Sequence, residues 1–244
     1  MELNFKKLCG NDAGPNLGNV SEFHKLILGL MFLVNSNSDM CFAVSMLSSY
    51  MVQPHWIGAK NLLKYLRGTI SHGLRCTVGN AKLHDYSDAH RASSVEDPKS
   101  TSGCWFSLGS TLISQMSRKK KTVVLSTAEA EYITMSMASY EVVWLWKFFH
   151  EMFGHVLDTI VIFCDNQRGI RLLRNPMFYD RSQHIDIKYD FIWDMGQQGT
   201  GRFLRTGTDV QVTNIQMKPL GKVKFVTFRE RLGVVERLSL EGPI

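Results

Sequence analysis

Apolar residues recur along this chain in two rhythms, and the change comes near Gly79. Before it the spacing is helical. Ser21 can cap a helix running to about Val34, with Glu22 in its first turn. The apolar run Leu26 to Val34, interrupted by Gly29, is too short to span a bilayer and reads as core helix. Two more helical stretches are predicted at about Asp39–Met51 and His55–Leu66. The second carries Ile57, Leu62, Leu63 and Leu66 on one face and lysines elsewhere. The first twenty residues, rich in Gly, Asn and Pro, read as a loose leader. After Gly79 the period shortens. Leu83–Ala89 reads as a strand, and Gly103–Leu108 alternates with Cys104, Phe106 and Leu108 on one face. Gly109-Ser110 makes a hairpin turn and Leu112–Met116 returns as the partner strand. A long helix is expected over Thr127–Phe153, then a strand buried on both faces at Thr159–Cys164. A helix over Gln167–Arg174, stopped by Asn175-Pro176, precedes another at Ser182–Met195 and a weak strand at Gly201–Arg205. The order predicts an α/β domain with a mixed sheet flanked by helices, preceded by a helical region.

Carboxylates stand where these elements begin or end. Asp88 closes the first strand, Glu131 lies early in the long helix, and Asp165 follows the buried strand. Glu131 heads the apolar series Met135, Ala138, Val142, Leu145 and Phe149, which share one helical face. That stripe must face the sheet, so Glu131 sits at the rim of the core. Carboxylates so placed are costly to leave uncompensated, and a hard divalent cation such as Mg2+ is their usual partner. Plainer accounts exist for each alone: a first-turn acid favoured by the helix dipole for Glu131, an N-cap for Asp165, a turn residue for Asp88. Ligands of open α/β sheets, however, bind beyond the carboxyl ends of the strands, where all three can converge. Glu129, three residues after Ser126, completes a capping box and is assigned to folding.

The 244 residues carry a net charge of +6, which suits a polyanionic substrate around an acidic site, although it suits plain solubility equally. Five scattered cysteines, with no CxxC pair, indicate neither a zinc site nor a disulfide framework, and fit an intracellular, cytoplasmic or nuclear setting.

The chain resembles the Pol polyprotein of plant Ty1/copia-type retrotransposons. The resemblance is carried by Lys99-Ser100-Thr101-Ser102-Gly103, Leu125-Ser126-Thr127-Ala128-Glu129-Ala130-Glu131-Tyr132, Cys164-Asp165-Asn166-Gln167 and His184-Ile185-Asp186-Ile187-Lys188-Tyr189. Lys218-Pro219-Leu220 and Phe228–Gly233 match its C-terminal tail, while Phe42-Ala43-Val44 and Ala59–Gly68 resemble the helices that follow the reverse transcriptase. The resemblance implies three segments: a remnant reverse transcriptase connection region over 1–80, a ribonuclease H-like domain over 81–217 and a tail over 218–244. No Tyr-x-Asp-Asp reverse transcriptase signature occurs. The implied activity is cleavage of the RNA strand of RNA–DNA hybrids with two Mg2+ ions held by Asp88, Glu131 and Asp165. Asn166 and Gln167 are placed at the minor groove, where 2′-hydroxyls distinguish RNA, with helix capping as the plainer account. Arg118, Lys119, Lys120 and Lys121 are assigned to backbone phosphates, with a solvated turn as the alternative. His184 matches a motif position, and a surface histidine explains it as well. The expected partners are a hybrid duplex and other Pol-derived chains, with no membrane.

The chain also departs from the pattern. Asn214 occupies the position of the expected fourth acid, with Asp209 a possible substitute. His90, Arg91, Gln115, Arg168 and Trp193 are foreign to their motifs. Loss of an acid puts the second ion in doubt and implies an impaired nuclease. A noncatalytic nucleic-acid-binding module and an inactive transposon relic are the competing expectations.

Overall fold

The computed structural model describes residues 20–49, 55–76, 82–90, 100–120, 127–154, 158–174 and 183–236. The leader expected over the first twenty residues lies outside them except for Val20, as do Lys121, Ser126 and Arg91. The chain divides into two compact units, Met1–Thr77 with Ile215–Ile244, and Val78–Asn214.

In the first unit α1 (Val20–Leu33), α2 (Cys41–Ser48) and α3 (Trp56–Gly68) surround one core. The middle predicted helix begins as a 3-10 turn at Ser38–Met40. Phe23, Ile27, Leu30, Met40, Val44, Leu47, Ala59 and Leu62 are buried together, and the Phe23 ring meets Trp56 edge-on at 5.4 Å. Asp39 is buried here and accepts a hydrogen bond from the Tyr65 hydroxyl. A short strand absent from the sequence reading, β1 (His72–Leu74), pairs antiparallel with the equally unexpected β7 (Val234–Glu236). Between them in sequence order comes α7 (Lys222–Arg231), before β7. The tail expected as a third segment over 218–244 therefore belongs with the first unit: Val234 and Val235 are buried and their backbone is hydrogen-bonded to the 72–74 strand.

The second unit is the expected mixed α/β architecture. Its strands are β2 (Leu83–His90), β3 (Thr101–Leu108), β4 (Thr111–Lys119), β5 (Ile160–Cys164) and β6 (Gly201–Arg205). They stand in the order β4-β3-β2-β5-β6, with β2, β3 and β4 antiparallel and β2, β5 and β6 parallel. The helices are α4 (Thr127–Phe153), α5 (Gln167–Arg174) and α6 (Gln183–Gln197). Gly109 turns the β3–β4 hairpin with φ 61°, and among the described residues no other residue type takes a positive φ; positive φ at the first central position alone is the type II′ pattern that matches strand twist. The α4 helix ends where Gly154 (φ 64°) donates its N–H to the His150 carbonyl, the left-handed C-cap that glycine favours.

Core formation follows the predicted stripe. Met135, Ala138, Val142 and Leu145 of α4 pack on Cys104, Phe106, Ile160, Ile162 and Cys164 of the sheet. Polar pairs lie along the same seam: Ser102 with Thr134 at 2.6 Å, and the Ser114 hydroxyl donating to Glu141 at 2.7 Å. The strand expected to be buried on both faces is not: in β5, Ile160, Ile162 and Cys164 are buried and Val161 and Phe163 half-buried. One face lies under α4. The other belongs to a cluster of rings in which Tyr86 stacks on Phe163 at 4.9 Å and lies 5.3 Å from Trp105.

Candidate functional site

Parallel pairing of β2 with β5 sets the site. Tyr86 lies opposite Phe163 in the register, and two residues further along each chain come Asp88 and Asp165. The two aspartates thus leave neighbouring strands at the same level. Asp88 lies within its strand, which runs on to His90, and it accepts the Ala89 N–H at 2.7 Å. Glu131 reaches the same point from the second turn of α4, because the stripe below it holds the helix against the sheet. The charge of Asp88 acts on it there. The ligand atoms of Glu131, Cys164 and Asp165 all lie within 4.8 Å of one another. Glu131 and Asp165 are thus brought together; Asp88 is not part of that close group, although its charge acts on Glu131.

Asp88 and Glu131 are buried and Asp165 half-buried, so the point is more enclosed than strand ends in open solvent. Burial, then the charges of Asp88 and Asp165, push the Glu131 carboxyl up to about 9. A carboxyl so crowded by like charge holds its proton unless a cation takes the proton's place.

Asp165 is not the N-cap of α5. That task falls to Asn166, whose Oδ1 accepts the Gly169 N–H at 3.2 Å. Asp165 is thereby left to the cluster. Gly169 is also where α5 presses on α4: a Cβ there would stand 3.2 Å from Met135 Sδ and 3.5 Å from Glu131 Cβ.

The remaining sites scatter. Gln167 is exposed at the start of α5. Arg118 is exposed at the end of β4, Lys119 is half-buried, and Lys120 donates from Nζ to the Ala130 carbonyl at 2.6 Å. At least one cation of the basic run thus anchors the start of α4. The side chains of His90, Arg168 and His184 are not among those described. Glu129 is half-buried in the first turn of α4, and its expected partner Ser126 lies outside the described residues.

Asn214 is buried, and its Nδ2 donates to two carbonyls, Thr208 at 3.2 Å and Gln211 at 2.9 Å. Its amide thus closes the turn that leads into the 3-10 segment Val212–Gln216. Asp209 is exposed and does not join the close group formed by Glu131, Cys164 and Asp165.

Two residues were missed. Cys164 is fully buried, with Sγ 4.0 Å from Glu131 Oε2, and burial pushes its thiol upward. Strict alternation in β5 already places Cys164 on the face of Ile160 and Ile162, beneath α4, so the signal was present. Gln211 is buried and donates from Nε2 to the Ser87 carbonyl at 2.8 Å. Nothing local in the sequence marks it.

No protein-family model matches the chain. It is 36% identical over 228 residues to the Retrovirus-related Pol polyprotein from transposon RE2 of Arabidopsis thaliana, a match covering 92% of this chain and 16% of that protein. It is 35% identical over 226 residues to the corresponding polyprotein from transposon RE1 of the same plant, covering 91% and 15%. The chain thus spans about a sixth of the length of these relatives. Among solved structures, LC11-RNase H1 isolated from compost overlaps 56% of this chain and 93% of its own, at 11% identity and a TM-score of 0.43.

Proposed function

The chain is homologous to a segment of the plant Ty1/copia-type Pol polyproteins, and from that premise we propose that its second unit, a ribonuclease H-like mixed sheet, is a cation-dependent nuclease for the RNA strand of RNA–DNA hybrids, weakened in this chain. The supporting observation is that Glu131 meets Asp165, with Asp88 two residues past its register pair on the neighbouring parallel strand and its charge acting on Glu131.

The donor set fits a hard divalent cation such as Mg2+: three carboxylates crowd a half-enclosed point, and Glu131 keeps a proton there for want of other positive charge. Asp88 and Asp165 would hold such an ion from the strand side and Glu131 from the helix side. A bound ion would supply an activated water and neutralise charge at the scissile phosphate. Gln167, exposed two residues after Asp165, is assigned to the ribose face of a duplex. Arg118 and Lys119 are assigned to the phosphate backbone.

Weakening follows from Asn214. Its amide donates to two carbonyls and brings no negative charge. The same observation favours a second reading, in which the unit binds hybrids without cutting them.

A labelled RNA–DNA hybrid separates the two. The expected result is slow cleavage of the RNA strand with Mg2+ or Mn2+, none with EDTA, and none from Glu131→Gln. Cleavage that survives EDTA or Glu131→Gln defeats the proposal. Retention of the hybrid with no cleavage under any cation favours the second reading.

A further inference from the structure

The helix α3 of the first unit carries Lys60, Lys64 and Arg67, all exposed, and no acidic residue. At 100° per residue the three side chains fall within about 60° of arc. The opposite face, with Gly58, Ala59 and Leu62, is buried in the core of that unit. Among the described residues none of the three cations makes an ion pair or a side-chain hydrogen bond. Like charges at i, i+4 and i+7 weaken a helix by a few tenths of a kcal/mol per pair, so this stripe is unfavourable to α3 by itself and would be relieved by an external anion. From Lys60 to Arg67 the helix rises about 10 Å, the length over which a duplex presents about six phosphates.

We propose that this face of α3 is a second nucleic-acid surface, a track for the phosphate backbone of a duplex, separate from the acid cluster of the other unit. The choice of ligand rests on the nucleic-acid reading given above. Phosphate contacts of this kind hold a duplex without reading its sequence. A basic helix can also lie on an anionic bilayer, but that requires a continuous apolar face turned outward. Here the apolar face is packed inside the unit. The exposed Ile57 and Leu63 stand on opposite sides of the basic stripe instead of forming one surface.

The test measures binding of the full-length chain to a labelled RNA–DNA hybrid and to duplex DNA, in EDTA, across a range of salt. The comparison is with the variant carrying Lys60→Gln, Lys64→Gln and Arg67→Gln. The slope of log K against log salt is expected to become shallower by about 2–3 units in the variant, with an unchanged circular dichroism spectrum. Should the triple variant alter the spectrum, Lys64→Gln alone decides, with an expected change of about one unit. An unchanged slope overturns the proposal, as does failure of the unmodified chain to bind either duplex. Loss of retention on phosphatidylserine vesicles, with duplex binding intact, overturns it in favour of a membrane surface. EDTA silences the acid cluster throughout. A slope change in a chain that never cleaves with Mg2+ therefore removes the nuclease reading alone and leaves the α3 surface standing.

Discussion

Glu131 and Asn214 show how much one side chain's partners decide. Glu131 is an acid that the fold keeps protonated, and its titration has a direct consequence for stability. Its unfolded value is near 4.5 and its folded value about 9. Between those limits the native chain holds a proton that the unfolded chain has released, so native stability falls as pH rises through that window. Burial acts in the same sense on Asp85, whose carboxyl is pushed well above its ordinary value in the middle of the sheet. The metal-free protein is therefore expected to lose stability to urea steadily from about pH 5 to pH 9. Glu131→Gln should flatten the upper part of that decline, and an equally steep profile in the variant would contradict the shift. Asn214 gives the opposite lesson. Sequence register alone makes Asn214→Asp look like a repair of the missing acid. In the structure an aspartate would lose both donated hydrogen bonds and place a charge against the Thr208 and Gln211 carbonyls. Asn214→Asp is expected to cost about 1–3 kcal/mol in urea unfolding and to leave hybrid cleavage no faster. A faster variant of undiminished stability would show that the turn tolerates an acid at 214 and that the missing charge can be restored there.

At the scale of elements, α4 is the part on which the site depends. Its 27 residues were legible as one helix because the apolar stripe from Met135 to Leu145 keeps a single phase. That stripe, not any contact of Glu131, holds Glu131 over the strands. Met135→Ala is therefore expected to destabilise the second unit by about 2–5 kcal/mol and to weaken cation binding as well, measured by unfolding and by Mn2+ titration. A loss of stability with cation affinity unchanged would show that the helix start is held by something else, for instance the Lys120 contact to Ala130. The edge strand β6 is tied in by close approach. A Cβ on Gly201 would stand 2.9 Å from Met195 Sδ and 3.2 Å from Val142 Cγ1. Gly201→Val is expected to cost about 1–3 kcal/mol by overpacking, and a neutral result in thermal unfolding would mean that Met195 yields freely.

Across the whole molecule the chain leaves the first unit at Thr77 and returns to it at Ile215. The return is secured by β7 on β1, a pairing of residues far apart in sequence, such as His72 with Glu236. Ending the chain before Val234 removes that pairing and the two buried side chains Val234 and Val235. Hydrogen exchange is expected to quicken in α1, α2 and α3 of the shortened chain while the amides of β2 and β5 keep their protection. Slowed exchange in the helices, or loss of protection confined to the sheet, would run against the division into two units.

What the amino-acid sequence determined by itself was local and periodic. The bounds of α4, α5 and β6 follow from apolar phase and from stop signals such as Asn175-Pro176, because a helix or strand declares its buried face in its own spacing. The meeting of Glu131 with Asp165 was legible because their residue types stand at the start of a helix and just past the end of a strand. Other features required the tertiary structure. The β1–β7 pair consists of three-residue strands with no pattern long enough to read, brought together only by chain return. Asn166 as the cap of α5, Lys120 on the Ala130 carbonyl, and Asn214 closing its own turn are settled by which hydrogen-bond partner lies within reach. The proton on Glu131 depends on burial and on two aspartates distant in sequence, and both are consequences of packing that no local motif encodes.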